Sequence, residues 1–307
     1  MDILLMLPLA LVLDLLFGEP PQILHPVVWM GKSITLVIKT NRASGRVFQF
    51  ALGLLSVLFV TAVFTTAAHF VLLGAREWHY AFYIVLGGIL LKTTFSVRAL
   101  YRAAWRVRDT LAAKDPALAR QALPSLVSRD TGKLDDRLMV SAAVESVAES
   151  IGDSFIAPLF YFVIFGVPGA VAYRVANTFD AMIGYHGRNE YIGKFAARLD
   201  DVLNYIPARI AALLIITVTA ARGQGKAAWR TALLQHRRTE SPNAGWPIAA
   251  AAGALEVRLE KPGHYVIDGG HNPLQPSSID NVLRLCSMVL AAWSLICLGA
   301  GGIRYAF

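Results

Sequence analysis

Val47-Phe-Gln-Phe-Ala-Leu-Gly-Leu-Leu-Ser-Val-Leu-Phe-Val-Thr-Ala-Val-Phe-Thr-Thr-Ala-Ala-His-Phe-Val-Leu-Leu-Gly74 contains no aspartate, glutamate, lysine or arginine. A helix needs roughly 20 apolar residues to cross the hydrocarbon of a bilayer, and this stretch exceeds that comfortably. Further apolar stretches lie near residues 1–17, 80–97 and 285–303; the first is marginal and carries Asp14. Two more are ambiguous: 155–176 is interrupted by Gly166-Val-Pro-Gly169, and 206–221 is short and opens with Pro207. Each reads as a crossing, a buried helix or a re-entrant hairpin. The expected fold is an all-α integral membrane protein of about four to six membrane helices, with re-entrant or buried helices and long cytoplasmic loops.

Composition agrees. Of the 307 residues 55% are hydrophobic and 16% charged, with a mean hydropathy of +0.50; soluble domains carry about 25% charged residues. No Pro/Ser-rich or low-complexity linker and no internal repeat divides the chain, so residues 1–307 read as a single membrane-embedded domain. The net charge of +8 and pI near 9.6 suit basic loops facing anionic lipid, and no module points to nucleic acid. Cys286 and Cys297 offer no disulfide framework, and no Cys/His spacing resembles a zinc site. Met1-Asp-Ile-Leu-Leu lacks a basic leader, so the first segment reads as retained rather than cleaved.

Basic residues orient the chain. Lys32, Lys39, Arg42 and Arg46 follow the first segment, nine lysines and arginines run from Arg98 to Arg137, and Arg222, Lys226, Arg230, Arg237 and Arg238 lie in 222–284. The turn at 75–79 has only Arg76. The positive-inside rule therefore puts the tip of the 47–97 pair outside and both large loops in the cytoplasm. If 155–176 and 206–221 both cross, residues 177–205 lie outside; if both turn back, every polar motif faces the cytoplasm.

Three constellations carry chemistry. Arg137, Ser141, Glu145, Glu149 and Asp153 recur every four residues, so as a helix they share one face. Glu145, Glu149 and Asp153 are candidate Mg²⁺ ligands, since magnesium takes oxygen donors; the plainer reading is an amphipathic helix with solvated acids. Asn177 with Asp180, and Asp200 with Asn204, each place an amide and a carboxylate on one helix face. Asp201 points a quarter-turn away, toward a pairing with Arg198 or a cap. Ionisable groups beside hydrocarbon are costly, so this group is by default a functional-site hypothesis. The third is His236-Arg-Arg-Thr-Glu-Ser-Pro-Asn-Ala-Gly-Trp-Pro247, in which Arg237, Arg238 and Ser241 can hold a phosphate. Gly31-Lys32-Ser33 ends like a P-loop, but Pro26 stands where that loop needs its first glycine.

These strings together resemble the adenosylcobinamide-phosphate synthase family of cobalamin biosynthesis, called CobD or CbiB. The match runs through Asp14-Leu-Leu-Phe-Gly-Glu-Pro20, His25-Pro-Val27, Arg129-Asp-Thr131, Val144-Glu-Ser-Val-Ala-Glu149 with Asp153, Asn177-Thr-Phe-Asp-Ala-Met-Ile-Gly-Tyr185, Ala197-Arg-Leu-Asp-Asp-Val-Leu-Asn-Tyr-Ile-Pro-Ala-Arg209 and Ser241-Pro-Asn-Ala-Gly-Trp-Pro247. It covers most of the chain to about residue 265. The family pattern usually has Asn where this chain has Ser150, and Leu where it has Phe179; 263–280 matches less clearly.

The resemblance implies a multi-pass enzyme of the cytoplasmic membrane that joins adenosylcobyric acid to aminopropanol phosphate, or aminopropanol, with ATP and Mg²⁺. Residue chemistry then suggests roles: Glu145, Glu149 and Asp153 for metal; Asp180, Asp200 and Asp201 as second ligands or general base. Arg129, Arg174, Arg198, Arg237 and Arg238, with Ser241, suit phosphate and carboxylate, while Asn177, Asn204 and Asn243 orient amides or the acyl group. Other corrinoid-pathway enzymes are possible partners at the basic loops. The rival classes are a transporter, suggested by the broken helices, and a non-catalytic signalling relative of the same fold.

Overall fold

Hydrocarbon offers no water to backbone N–H and C=O groups, and a helix satisfies them within one segment. The computed structural model describes residues 1–40, 45–184 and 190–306; Arg42 of the basic loop and Tyr185 of the polar string lie outside the described residues. The first six helices are α1 (Asp2–Phe17), α2 (Pro26–Thr40), α3 (Arg46–Trp78), α4 (Tyr80–Lys92), α5 (Val97–Ala112) and α6 (Pro116–Ala122). There follow α7 (Asp136–Ile151), a π-turn at Gly152–Ile156, α8 (Ala157–Ile183), α9 (Glu190–Leu203) and α10 (Tyr205–Ala220). The remainder is α11 (Gly225–Gln235), α12 (Gly245–Leu255), strands β1 (Arg258–Lys261) and β2 (Tyr265–Asp268), and α13 (Pro276–Ala306).

Four helical stretches are long and apolar enough to cross a bilayer: Arg46–Trp78, Tyr80–Ala112, Asp136–Ile183 and Pro276–Ala306. The bent pair α9 and α10 makes a fifth if it counts as one span. The all-α membrane fold is thus as the apolar runs required. Residues 155–176 belong to one of the long stretches and 206–221 to the bent pair, while α1, at 16 residues, falls short of a span.

By internal packing the chain divides into two units, each discontinuous in sequence: Met1–Ser96 with Ala157–Asn204 and Ile296–Phe307, and Val97–Ile156 with Tyr205–Leu295. In the first unit α3 packs on α8 and α9, and α1 on α4. Small residues permit these approaches. A Cβ on Gly53 would collide with the Ile192 carbonyl, and Gly87 and Gly88 of α4 receive Met6 and Leu9 of α1. Asp14 is only 1% exposed on α1, an expensive placement that Lys92 of α4 offsets. Lys92 Nζ lies 3.4 Å from Asp14 Oδ1 and 2.8 Å from Glu19 Oε1, and His25 Nε2 lies 2.6 Å from Glu19 Oε2. Helix α8 breaks at Gly166, whose φ of 72° an L side chain resists, and Pro168 supplies no N–H. Arg304 Nη1 donates to the Val163 carbonyl at 2.7 Å beside that break.

In the second unit α12 is a nearly all-buried core helix, Ile248-Ala-Ala-Ala-Ala-Gly-Ala254, against α10 and α11. Tyr101 Oη donates to Leu283 O at 2.9 Å, and Arg108 Nη1 meets Asp280 Oδ1 at 2.9 Å, fastening α5 to α13. Strands β1 and β2 form an antiparallel hairpin in which Glu260 pairs with Val266 and Lys261 with Tyr265. Its turn contains Gly263, at φ 77°. The hairpin lies on α7, so the α7 stripe meets protein where the plainer sequence reading expects water.

Candidate functional site

In the first unit, α8 and α9 bring four of the expected residues into one chain of hydrogen bonds. Arg174 Nη1 donates to Asn177 Oδ1 at 3.2 Å, and Asn177 Nδ2 donates to Asp200 Oδ1 at 3.3 Å. Asn204 Nδ2 donates to Asp200 Oδ2 at 2.9 Å, and Tyr173 Oη donates to Asn204 Oδ1 at 2.9 Å. The spacing explains the convergence: Arg174 and Asn177 are three apart on α8, and Asp200 and Asn204 four apart across the end of α9. Each Asp200 oxygen accepts one amide proton, so the carboxylate is oriented yet retains acceptor capacity. Tyr161 stacks on Tyr173 at 5.4 Å and donates to Leu203 O at 2.9 Å, walling one side of the network. Asp180 is half-buried one turn beyond Asn177. Asp201 instead pairs with Arg198 at 3.5 Å, and the Arg198 side chain is 76% exposed. That pair lies at the surface.

In the second unit the α7 stripe divides. Arg137 Nη2 meets Glu260 Oε2 at 2.9 Å, and Ser141 Oγ accepts from Glu260 N at 2.8 Å, so the first two positions anchor the hairpin. Glu145 is 7% exposed, with Oε1 3.5 Å from Arg129 Nη1. Tyr265 of β2 closes this corner: burial first, then the charges of Glu145 and Glu149, push its phenol far above the ordinary range. Asp153 falls in the π-turn, whose extra residue rotates it off the four-residue stripe. Glu149 and Asp153 are half-buried.

Arg129 carries the most telling feature. Its Nε and Nη2 are buried and find no hydrogen-bond partner among the described residues. Buried unpaired donors cost about 1–3 kcal/mol, more when charged, and a buried guanidinium with spare donors suits a phosphate or carboxylate. Magnesium is commonly held by one or two carboxylates together with substrate phosphates. Among the described residues no three His, Cys, Asp or Glu side chains gather to hold a metal alone. The donor set fits an ion shared between Glu149 or Asp153 and a bound phosphate, not a three-carboxylate cage.

The Ser241–Pro247 loop is also in this unit. Ser241 Oγ accepts from Asn243 N at 3.2 Å and Ala244 N at 3.3 Å, shaping the entry to α12. Arg209 Nη1 donates to Asn243 Oδ1 at 2.7 Å, and its guanidinium lies 3.7 Å above the Tyr205 ring. His236 stacks on Trp246 at 3.9 Å. The Trp246 indole nitrogen is buried without a hydrogen-bond partner among the described residues. Arg238 Nη1 donates to Val266 O at 2.8 Å, tying the loop to β2, and Arg237 is exposed. Residue-by-residue reading did not assign Arg209, Tyr173, Tyr265 or Lys92 a role. Arg209 and Tyr173 stand inside the quoted or adjoining strings, and Pro262-Gly263 is a turn marker that exposes the hairpin.

Residues 7–287 match the model of a family described as CobD/Cbib protein. The chain belongs to the CobD/CbiB family. A Dehalococcoides mccartyi protein named cobalamin biosynthesis protein CobD is 50% identical over 300 residues, 97% of either chain. A Methanothermobacter thermautotrophicus protein named probable cobalamin biosynthesis protein CobD is 41% identical over 296 residues, 95% of either chain. Its namesake in Pyrococcus furiosus is 42% identical over 265 residues, 86% of this chain and 87% of that one. No solved structure matches the chain. The CobD/CbiB match spans both units, including the α8–α9 network, the Arg129 corner and the Ser241 loop.

Proposed function

We propose that this CobD/CbiB protein is an ATP-dependent amide-forming ligase of the cytoplasmic membrane. It joins adenosylcobyric acid to aminopropanol phosphate, or to aminopropanol, and yields adenosylcobinamide phosphate in the first case. The family supports the pathway, and the observation that carries the chemistry is Arg129: two buried guanidinium nitrogens with no hydrogen-bond partner among the described residues, beside a carboxylate-bearing helix. Such a corner is built for an anion.

Amide formation needs the substrate carboxylate activated, as an acyl phosphate, before an amine attacks it. Arg129 binds a phosphate or carboxylate oxygen through Nε and Nη2, with Arg237 and Arg238 adding charge at the loop. Glu149 or Asp153, together with a substrate phosphate, would hold the magnesium of Mg·ATP, which would supply positive charge for the phosphoryl transfer. Glu145 keeps Arg129 in place. Within the first unit Arg174 and Asn177 orient Asp200, a carboxylate suited to accept a proton as general base. Asn204, and Asn243 with Arg209, hold amides or the acyl oxygen, while Asp180 is a second candidate base or ligand. The basic loops offer docking for other enzymes that make or consume the corrinoid.

Purified protein in detergent, given adenosylcobyric acid, aminopropanol phosphate, Mg²⁺ and ATP, forms the amide and consumes ATP in step. Arg129→Lys keeps the charge but loses the fork; it raises KM for a phosphate-bearing substrate about tenfold, the loss of one charge-assisted bond. Folded wild-type protein with neither product nor ATP consumption would sink the proposal.

A further inference from the structure

A cavity of about 790 Å³ opens in the first unit, within the size range of ligand sites, and no step of the amide-forming chemistry uses it. On α3, His69, Leu72, Leu73 and Arg76 line it at the spacing of one helix face. The α8 break supplies Phe162, Phe165 and Gly166 as an aromatic and backbone wall, and α13 supplies Arg304. Among the described residues of the lining the one acidic side chain is Asp2, already accepting from Tyr80 Oη at 3.0 Å and Tyr83 Oη at 2.7 Å. Arg76 lies 5.8 Å from the Tyr83 ring face and near Tyr80, with no ion pair among the described residues. Arg304 gives one nitrogen to Val163 O, and its other donors have no partner among the described residues. Among its described residues the cavity therefore sets two arginines against one carboxylate side chain that already accepts hydrogen bonds.

Its depth can be read from the residues around it. Exposed Trp78, Tyr80, Phe82 and Tyr305 cluster in these elements at this end of the helices, and such aromatic residues mark the headgroup level of a bilayer. Arg76 is within that band. His69 lies seven residues earlier on α3, about 10 Å deeper at 1.5 Å per residue, in a segment where an exposed histidine faces hydrocarbon at a cost. A polar stripe running inward from a cation at headgroup depth, flanked by Leu72, Leu73 and Phe165, matches a phospholipid: phosphate outermost, glycerol and ester carbonyls beneath, acyl chains against the apolar wall. We infer that this cavity holds one anionic phospholipid, its phosphate on Arg76 and Arg304 and an ester carbonyl at His69.

Native mass spectrometry of the delipidated full-length protein, titrated with phosphatidylglycerol or phosphatidylcholine, tests this. One phosphatidylglycerol is retained, half-saturating at a concentration about tenfold below phosphatidylcholine, the effect of one charge-assisted contact. Arg76→Ala abolishes that preference, and Arg222→Ala, outside the cavity, leaves it intact. Leu73→Trp fills the apolar wall, keeps both cations and loses the retained molecule, which maintains the test should Arg76→Ala fail to fold. Inorganic phosphate in excess does not compete. Equal retention of the two lipids, a preference that survives Arg76→Ala, retention that survives Leu73→Trp, or displacement by inorganic phosphate alone overturns the assignment; the last marks a soluble-phosphate site instead.

Discussion

At Glu19 two effects compete. Burial favours the neutral acid, but the His25 hydrogen bond, the Lys92 ammonium and the neighbouring Ser96 outweigh it and hold the carboxyl down to about 2, from an ordinary 4.5. Because the folded state binds the proton less readily than the unfolded chain, the stabilisation is complete above about 4.5 and disappears as pH falls toward about 2. Glu19→Gln removes this component: in detergent its melting temperature falls less steeply on acidification than that of wild type, measured by dye-free scanning fluorimetry. Parallel curves for the two proteins would mean that the cluster contributes no acid sensitivity. Asp200 poses the complementary case, since both its oxygens accept amide protons. Asp200→Asn turns one acceptor into a donor facing an amide donor, so it lowers stability by about 1–3 kcal/mol. As the proposed base, its loss slows turnover by about 10²–10⁴-fold. Turnover within threefold of wild type would exclude Asp200 as the base.

Among the elements, the long apolar helices were legible because hydrophobicity at bilayer length admits few alternatives. The α7 stripe was legible as spacing but not as environment. Periodicity reports which residues share a face, whereas what covers that face depends on a hairpin more than a hundred residues later in the chain. That hairpin is short, and its one local marker is Pro262-Gly263. Likewise Asn177 and Asp200 were legible as separate pairs, while their junction through Asn204 and Tyr173 needs α8 packed on α9. The π-turn at Gly152–Ile156 leaves no sequence pattern, so the departure of Asp153 from the stripe was invisible. Ser141 gives this scale its test. Ser141→Ala removes both contacts with the Glu260 backbone and adds no atoms at this buried position, costing about 1–2 kcal/mol locally. Amide exchange in β1 and β2 speeds up while α12 is unchanged. Unchanged exchange in the hairpin would show that Ser141 does not anchor it.

For the whole molecule, the balance of lysine and arginine assigns sidedness that the helices alone do not carry. Cys286 and Cys297 are buried, so single introduced cysteines report cleanly on topology. His79→Cys, at the α3–α4 turn, reacts with an impermeant maleimide added to intact cells; Lys133→Cys, in the basic segment before α7, reacts only after permeabilisation. The reverse pattern would invert the assigned orientation. The central claim concerns chemistry, and an isotope decides it. Adenosylcobyric acid labelled with ¹⁸O in the reacting carboxylate is incubated with the purified protein, aminopropanol phosphate, Mg²⁺ and ATP, and product and phosphate are read by mass spectrometry. Activation as an acyl phosphate predicts adenosylcobinamide phosphate with one ¹⁸O delivered to inorganic phosphate per amide formed. Absence of the amide from folded protein contradicts the account outright, and amide formed with no label in phosphate contradicts its activation step.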